Sequence, residues 1–313
     1  MKENIHHWGI ILAGGEGKRL REHIRIVYGC DKPKQFCAIV GTRSMLRHTI
    51  DRAKTKIHPE RLLTVINKDH WRHATDELDQ LPSVNYIQQP LGRETAPAIL
   101  LALLHIYQRD PKAIVALLPS DHFILEEDQF MDHVESAFEF SFENPRTVCL
   151  LGMKPHLAES EYGWIEPQSK IGELHGKSVY RVGQFWEKPE DSVLQFLHRK
   201  GCLWNTMVAV GHLEGFLNLF ATFLTRMHES FMSILPAIGT AGEEHAVERV
   251  YAPLPLVNFS QEVLAKGSAN LAVIPVSNVY WSDWGNSGRI RGDILRFSLR
   301  SRVLNTEAMG EFA

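Results

Sequence analysis

Residues 11–20 read ILAGGEGKRL, so Gly14, Gly15 and Gly17 close an apolar run and Lys18 and Arg19 follow at once. Glycine has no Cβ, so several backbone N–H groups can converge there on one anion, and cations beside them add charge. The chemistry suggested is phosphate binding. Two familiar loops are excluded by identity. The dinucleotide fingerprint needs a glycine where Leu20 stands, and the P-loop needs glycine at Leu12 and Ser or Thr at Arg19. What remains is Gly-Gly-x-Gly-x-Arg, followed by Lys34 in DKPKQF. A tight strand-to-helix turn with solvated basic residues is the plainer alternative.

Two acids stand where strands are expected to end: Asp121 in AIVALLPSD and Asp283 in VYWSD. Carboxylates beside phosphates suit Mg²⁺, which takes one or two of them and keeps several waters. Either aspartate alone could equally cap a turn. Glu187 and Lys188 in FWEKP could accept from hydroxyls and meet a phosphate, or be an exposed pair. Asn205 beside Trp204 could contact ligand hydroxyls, and Gly163 in YGW allows close approach or marks a bulge. His70 and His73 would make half a zinc site, but no third soft ligand is placed to complete it, so a solvated helix face is expected. No Gly-x-Ser-x-Gly elbow and no Cys/His pairing offers a nucleophile.

The elements that must position these residues alternate. WGIILA, LLTVIN, VNYIQQ and AIVALLPSD read as strands. SMLRHTIDRAKTKI, DHWRHATDELDQL (with Asp69 as a cap) and the nearly all-apolar TAPAILLALLHIYQRD read as helices. This predicts a parallel-type sheet with helices on both faces, and such sheets bind ligands at the C-terminal ends of their strands. The second half is less regular. YGWIEP, SVYRVGQFWEKP and NLAVIPVSN are expected strands, with helices near 190–200 and 212–227, and FLNLFATFL belongs to the core.

The 313 residues are 44% hydrophobic and 23% charged, which is globular, and the net charge of −3 gives no general attraction to nucleic acid or membrane. Cys30, Cys37, Cys149 and Cys202 lack metal or redox spacing and read as thiols of a reducing compartment. No signal peptide or apolar span of 18 residues is present, so a cytoplasmic protein is expected.

Taken in order along the chain, these segments resemble the sugar-nucleotide pyrophosphorylases, most closely the mannose-1-phosphate guanylyltransferases. The matching stretches are LAGGEGKRL, KPKQF, QPLGRETAPAI, LLPSDH, YGWIEP, FWEKP, LWN and WSDWG, from about residue 8 to 286. The resemblance implies a Rossmann-like three-layer α/β/α fold of the GT-A-like kind, with a mixed, mostly parallel sheet. It implies a catalytic domain over 1–290; a short helical tail over 291–313 is expected to follow, with no β-helix domain, which is a departure from many members. It implies attack of a sugar 1-phosphate on the α-phosphorus of GTP, with Mg²⁺, and a possible homodimer. Arg19 and Lys34 would be catalytic. Leu12, Ala13, Gly14, Gly15, Gly17, Lys18, Gly92, Arg93, Thr95 and Asp121 would bind nucleotide. Gly163, Glu187, Lys188 and Asn205 would bind the sugar phosphate, and Asp121 and Asp283 would share the metal. On this reading Lys34→Ala should slow turnover and leave folding intact.

The chain also departs from the family. Glu94 stands where Asn or Gly is usual, and Thr206-Met207-Val208 replaces Ser-Gly-Met. Ser260 replaces an acidic residue, and the sequence around Trp284 is altered. These changes motivate two alternatives, a non-catalytic sugar-nucleotide-binding homologue or a pyrophosphorylase for another pair of substrates. A dinucleotide oxidoreductase is disfavoured by the missing glycine.

Overall fold

A computed structural model describes residues 6–301 apart from residues 30 and 78. Cys30 and residues 302–313 of the expected tail therefore lie outside the described residues. The strands are β1 His7–Leu12, β2 Leu62–Asn67, β3 Tyr86–Gln89, β4 Ile114–Pro119, β5 Phe123–Ile124 and β6 Val148–Met153. They continue as β7 Trp164–Leu174, β8 Lys177–Trp186, β9 Leu203–His212, β10 Leu271–Val276 and β11 Trp281–Ser282. Nine of them form one sheet in the order β3-β2-β1-β4-β9-β6-β10-β8-β7. β3, β2, β1 and β4 run parallel, as do β6 and β10. Only β9 and β8 run against their neighbours. The sheet is mixed and mostly parallel, as the resemblance implies.

The continuous apolar runs of β1 and β4 follow from burial on both faces. Ile10 enters one core and its neighbour Ile11 the other. Helices Thr95–Arg109, Leu213–Phe223, Thr225–Met232 and Glu243–Tyr251 cover the first face. Helices Met45–Ala53, Glu127–Glu143 and Asp191–Lys200 cover the second. Ser44 starts the Met45 helix by accepting from Arg47 N at 3.0 Å. A third, smaller cluster joins Leu20, Cys37 and Trp284 to Ile290 and Ile294 of helix Ser287–Arg296, beside the strand ends that matter below.

Some local expectations fail. DHWRHATDELDQL is not one helix but 3₁₀ turns Lys68–His70 and Thr75–Glu77 around the single turn Trp71–Ala74, and neither Asp69 nor any other side chain caps the starts. Buried Glu77 accepts from Ser44 through its side chain and from Tyr86 through its carbonyl, which anchors the segment against its neighbours instead of letting it extend. Among the described residues no helix is long and apolar enough to cross a membrane.

Candidate active site

β1 lies between β2 and β4, and a cleft of about 390 Å³ opens at the C-terminal ends of these strands. The glycine stretch forms its floor. Gln35 Nε2 donates to the carbonyls of Ala13 and Gly15, at 2.7 and 2.8 Å. Asn67 Nδ2 donates to the carbonyl of Gly14 at 2.7 Å, and Gln89 Nε2 supports Asn67 Oδ1 at 2.5 Å. Among the described residues, the amides of Gly14, Gly15 and Gly17 donate to no other group. A loop with its carbonyls tied back and its amides unengaged is an anion cradle. Side chains are kept out by geometry: a Cβ on Gly14 would sit 2.3 Å from Gln89 Nε2, and Gly17 has φ +61°.

The two aspartates converge on this loop. β5 and β11 pair antiparallel with Phe123 opposite Ser282, and continuing that register sets Asp121 opposite Trp284. Lys34 closes the junction. Its Nζ lies 3.0 Å from Asp121 Oδ2 and donates to the carbonyls of Asp283 and Trp284 at 2.6 and 3.1 Å. These contacts use all three ammonium donors, and Lys34 is only 3% exposed. Lys34 lines the cleft as expected, yet it also braces the two acidic loops, a structural role that the sequence did not disclose.

Burial works against the charged form of Asp121, but Lys34, His122 and hydrogen bonds outweigh it and hold the carboxyl below its ordinary range. Asp283 is likewise depressed: burial opposes its charge, and His122, Arg289, the Gly285 N–H and Lys34 prevail. Burial lowers His122 to about 4 despite Asp121, so its imidazole is neutral near pH 7. Asp283 Oδ1 accepts from Arg289 Nη1 (2.7 Å), Gly285 N (2.9 Å) and Tyr162 Oη (3.0 Å). The bland turn-capping role considered for Asp283 is therefore also real. Arg19 lines the cleft, with Nη1 on Glu161 Oε1 at 2.9 Å.

The sugar-side residues assemble where β7, β8 and β9 begin and end. Trp164 pairs with both Trp186 and Trp204. Asn205 N donates to Gly163 O at 2.8 Å, and a Cβ on Gly163 would lie 3.1 Å from Glu187 Oε2 and 3.2 Å from Asn205 Cβ. Asn205 Oδ1 accepts from Met207 N at 3.1 Å. Glu187 and Lys188 stand 4.0 Å apart, so they form only a loose pair. Burial pushes the Glu187 carboxyl up, against the pull of Lys188, and the charge of Glu94 adds to the rise.

Two of the departures from the family pattern fall on one feature of the backbone. Glu94 has φ 67° and ψ −164°, and Met207 has φ 61°. These are conformations that glycine adopts without strain. Met207 Sδ accepts from Ser260 Oγ at 2.9 Å, so two of the departures contact each other.

Among the expected nucleotide residues, Leu12, Gly14, Gly15, Gly17, Gly92, Thr95 and Asp121 line the cleft, and Ala13 is buried beneath it. Arg93 does not: its Nη2 reaches the Ala252 carbonyl at 3.4 Å. The Lys18 side chain lies outside the described set. Of the two histidines weighed as half a zinc site, His70 and His73 both lie against the Phe36 ring, and no group of three or more metal-ligating side chains occurs among the described residues. Sequence reasoning missed Gln35, Asn67, Gln89, Tyr162, Glu161 and Arg289. Asn67 and Gln89, as the last residues of β2 and β3, could have been found by the strand-end rule itself.

Comparison with known proteins agrees with this geometry. The chain is 33% identical over 330 residues to mannose-1-phosphate guanylyltransferase RfbM of Salmonella typhimurium, covering 96% of this chain and 64% of that protein. It is 27% identical over 282 residues to mannose-1-phosphate guanylyltransferase of Escherichia coli, covering 88% and 58%. It thus spans about three fifths of the length of these curated relatives. The crystal structure of mannose-1-phosphate geranyltransferase from Thermus thermophilus superposes with a TM-score of 0.77 at 27% identity, over 90% of this chain and 77% of that one. The nucleotidyl transferase family model matches residues 8–290, and the chain belongs to that family.

Proposed function

We propose that this protein joins GTP and mannose 1-phosphate, or a related sugar 1-phosphate, to give GDP-mannose (or the matching GDP-sugar) and pyrophosphate. One observation carries the reading: a glycine loop with unengaged amides lies beside Lys34, which ties the Asp121 carboxylate to the backbone carbonyls of Asp283 and Trp284. The names of the relatives support the choice of sugar and base.

In the reaction a phosphate oxygen of the sugar 1-phosphate forms a bond to the α-phosphorus, and the bond from that phosphorus to the bridging oxygen of pyrophosphate breaks. No protein nucleophile is needed, so positioning and charge stabilisation are the whole task. The amides of Gly14, Gly15 and Gly17 hold the triphosphate. Arg19 neutralises charge growing on the α-phosphate and the leaving group, and Lys34 supplies a fixed positive charge at the cleft wall. Glu187, Asn205 and the open backbone at Gly163 receive the sugar.

Asp121 and Asp283 fit Mg²⁺ by the chemistry of the donor set. Both are hard oxygen donors with depressed pKa values beside a phosphate cradle, and none of the described residues donates to Asp283 Oδ2. When bound there, Mg²⁺ would neutralise phosphate charge that the carboxylates alone would repel. The test is a panel of four nucleoside triphosphates against several hexose and heptose 1-phosphates. Pyrophosphate release that requires both GTP and a sugar 1-phosphate supports the proposal, and no release from any pair defeats it.

A further inference from the structure

Asp283 already has a cation. Arg289, reaching it through Nη1, uses Nη2 for two further acids, Glu161 Oε2 at 2.7 Å and Glu159 Oε2 at 2.6 Å. Its guanidinium lies 4.7 Å from the centre of the Tyr162 ring, the same tyrosine that donates to Asp283. Glu161 carries the connection onward, since its other oxygen accepts from Arg19. Arg19, Glu161, Arg289 and Asp283, from three separate segments, thus form one line of alternating charge that starts at the cleft wall with Arg19. Its ends are the two groups that the proposed reaction needs: a cation for phosphate and a carboxylate for metal.

The links differ in strength. The Arg289 and Asp283 side chains are 18% and 13% exposed, whereas Arg19 and Glu161 are 52% and 37% exposed. The inner pair is shielded from water and the outer pair is screened. The inner pair is also preset locally. The Asn286 side chain caps helix Ser287–Arg296 by accepting from Arg289 N at 3.0 Å, which fixes Arg289 in the first turn.

We propose that Arg289 is a positioning residue that competes with the divalent cation for Asp283. Metal entry shifts the guanidinium from Asp283 onto Glu159 and Glu161, and the nucleotide draws Arg19 away from Glu161. The acids that receive Arg289 are already in contact with it, so it need not move far. This proposal rests on the reading of Asp283 as a metal ligand. A unit positive charge about 5 Å from a divalent ion opposes its binding by on the order of ten-fold even in a water-like dielectric.

The experiment is titration of Mn²⁺ alone, without nucleotide, followed by its electron paramagnetic resonance signal. The proteins are the wild type and the Arg289→Met, Arg289→Lys and Asp283→Asn variants, with thermal unfolding to verify folding. The expected result is tighter binding by Arg289→Met, on the order of ten-fold, near wild-type binding by Arg289→Lys, and weakened binding by Asp283→Asn. Arg289→Gln carries the same expectation as Arg289→Met should the latter not fold. A merely structural arginine gives the opposite sign, because its loss would loosen Asp283. Unchanged or weaker Mn²⁺ binding by the neutral variants overturns the competition alone. Absence of Mn²⁺ binding in both wild type and variants overturns the competition together with the metal assignment.

Discussion

The phosphate half and the sugar half of this site are held by different means. On the phosphate side, side chains from other segments pin the backbone: Gln35, Asn67 and Gln89 fix the glycine loop, and Lys34 ties Asp121 to the 283–284 turn. On the sugar side the backbone takes positive φ at Lys188 and Met207, with Glu94 between the halves; among the described residues the phosphate side has one such residue, Trp284 at φ 46°, in the turn that Lys34 pins. Each such residue costs on the order of 1 kcal/mol or more. The difference teaches where the site can change. Pinned carbonyls demand particular side chains, whereas a strained backbone held by the sheet tolerates different side chains at the same shape. Of the departures, Glu94 and Met207 fall on such backbone and Ser260 contacts Met207, whereas the altered stretch around Trp284 lies on the phosphate side.

The largest effect should come from the metal pair. Asp121→Asn and Asp283→Asn should each lower kcat by about 1,000-fold or more, and the double variant should cost little more than either single one. Steady-state kinetics on all three check this; fully additive losses would mean that the two do not act as a unit. Next comes Lys34. Lys34→Met should lower turnover by about 100-fold. It should also lower stability by about 1–3 kcal/mol, because Asp121 and two carbonyls lose their buried donor. Denaturant unfolding measures the second part, and it replaces the expectation from sequence that folding would be untouched.

A smaller effect tests the strained half. Met207→Gly should stabilise the protein by up to about 1 kcal/mol by relieving the left-handed backbone, less whatever the Ser260 contact contributes. It should also move the ratio of kcat/KM among sugar 1-phosphates toward mannose 1-phosphate. A wild-type protein that already prefers mannose 1-phosphate over every other sugar phosphate would remove the case for altered selectivity. The smallest expected effect concerns Glu187. A carboxyl whose pKa is raised on folding contributes stability at pH below the unfolded value and loses it as pH rises through the folded value. Glu187→Gln should therefore raise Tm at neutral pH, with the gain fading toward acid; melting curves across pH 4 to 8 give the sign (the range bracketing about the ordinary carboxyl value).

Much of the phosphate half was legible because its signals are local. An apolar strand followed by glycines, or by Pro-Ser-Asp, is written in consecutive residues. The parallel order of β1 to β4 followed from alternation of strands and helices. What stayed hidden depends on distance. Lys34 meets the 283–284 turn across 249 and 250 residues, and Arg289 meets Glu161 across 128. No local pattern encodes either contact. The antiparallel insertion of β9 between β4 and β6 was also unread, because LWNTMVAVGH is buried nearly throughout and lacks the alternation of a one-sided strand. Arg93 shows the opposite case: its neighbours Gly92, Glu94 and Thr95 line the cleft, yet its own side chain reaches toward Ala252.

The central claim is that the glycine loop, Lys34, Asp121 and Asp283 position a nucleoside triphosphate for attack by a sugar 1-phosphate at the α-phosphorus. ³¹P NMR of a mixture of GTP, mannose 1-phosphate, Mg²⁺ and the purified protein tests it most directly. The account predicts equal growth of pyrophosphate and sugar-diphosphonucleoside signals, with both absent when either substrate is omitted. Release of inorganic phosphate in their place, or no change with any sugar 1-phosphate and any of the four nucleoside triphosphates, would contradict it.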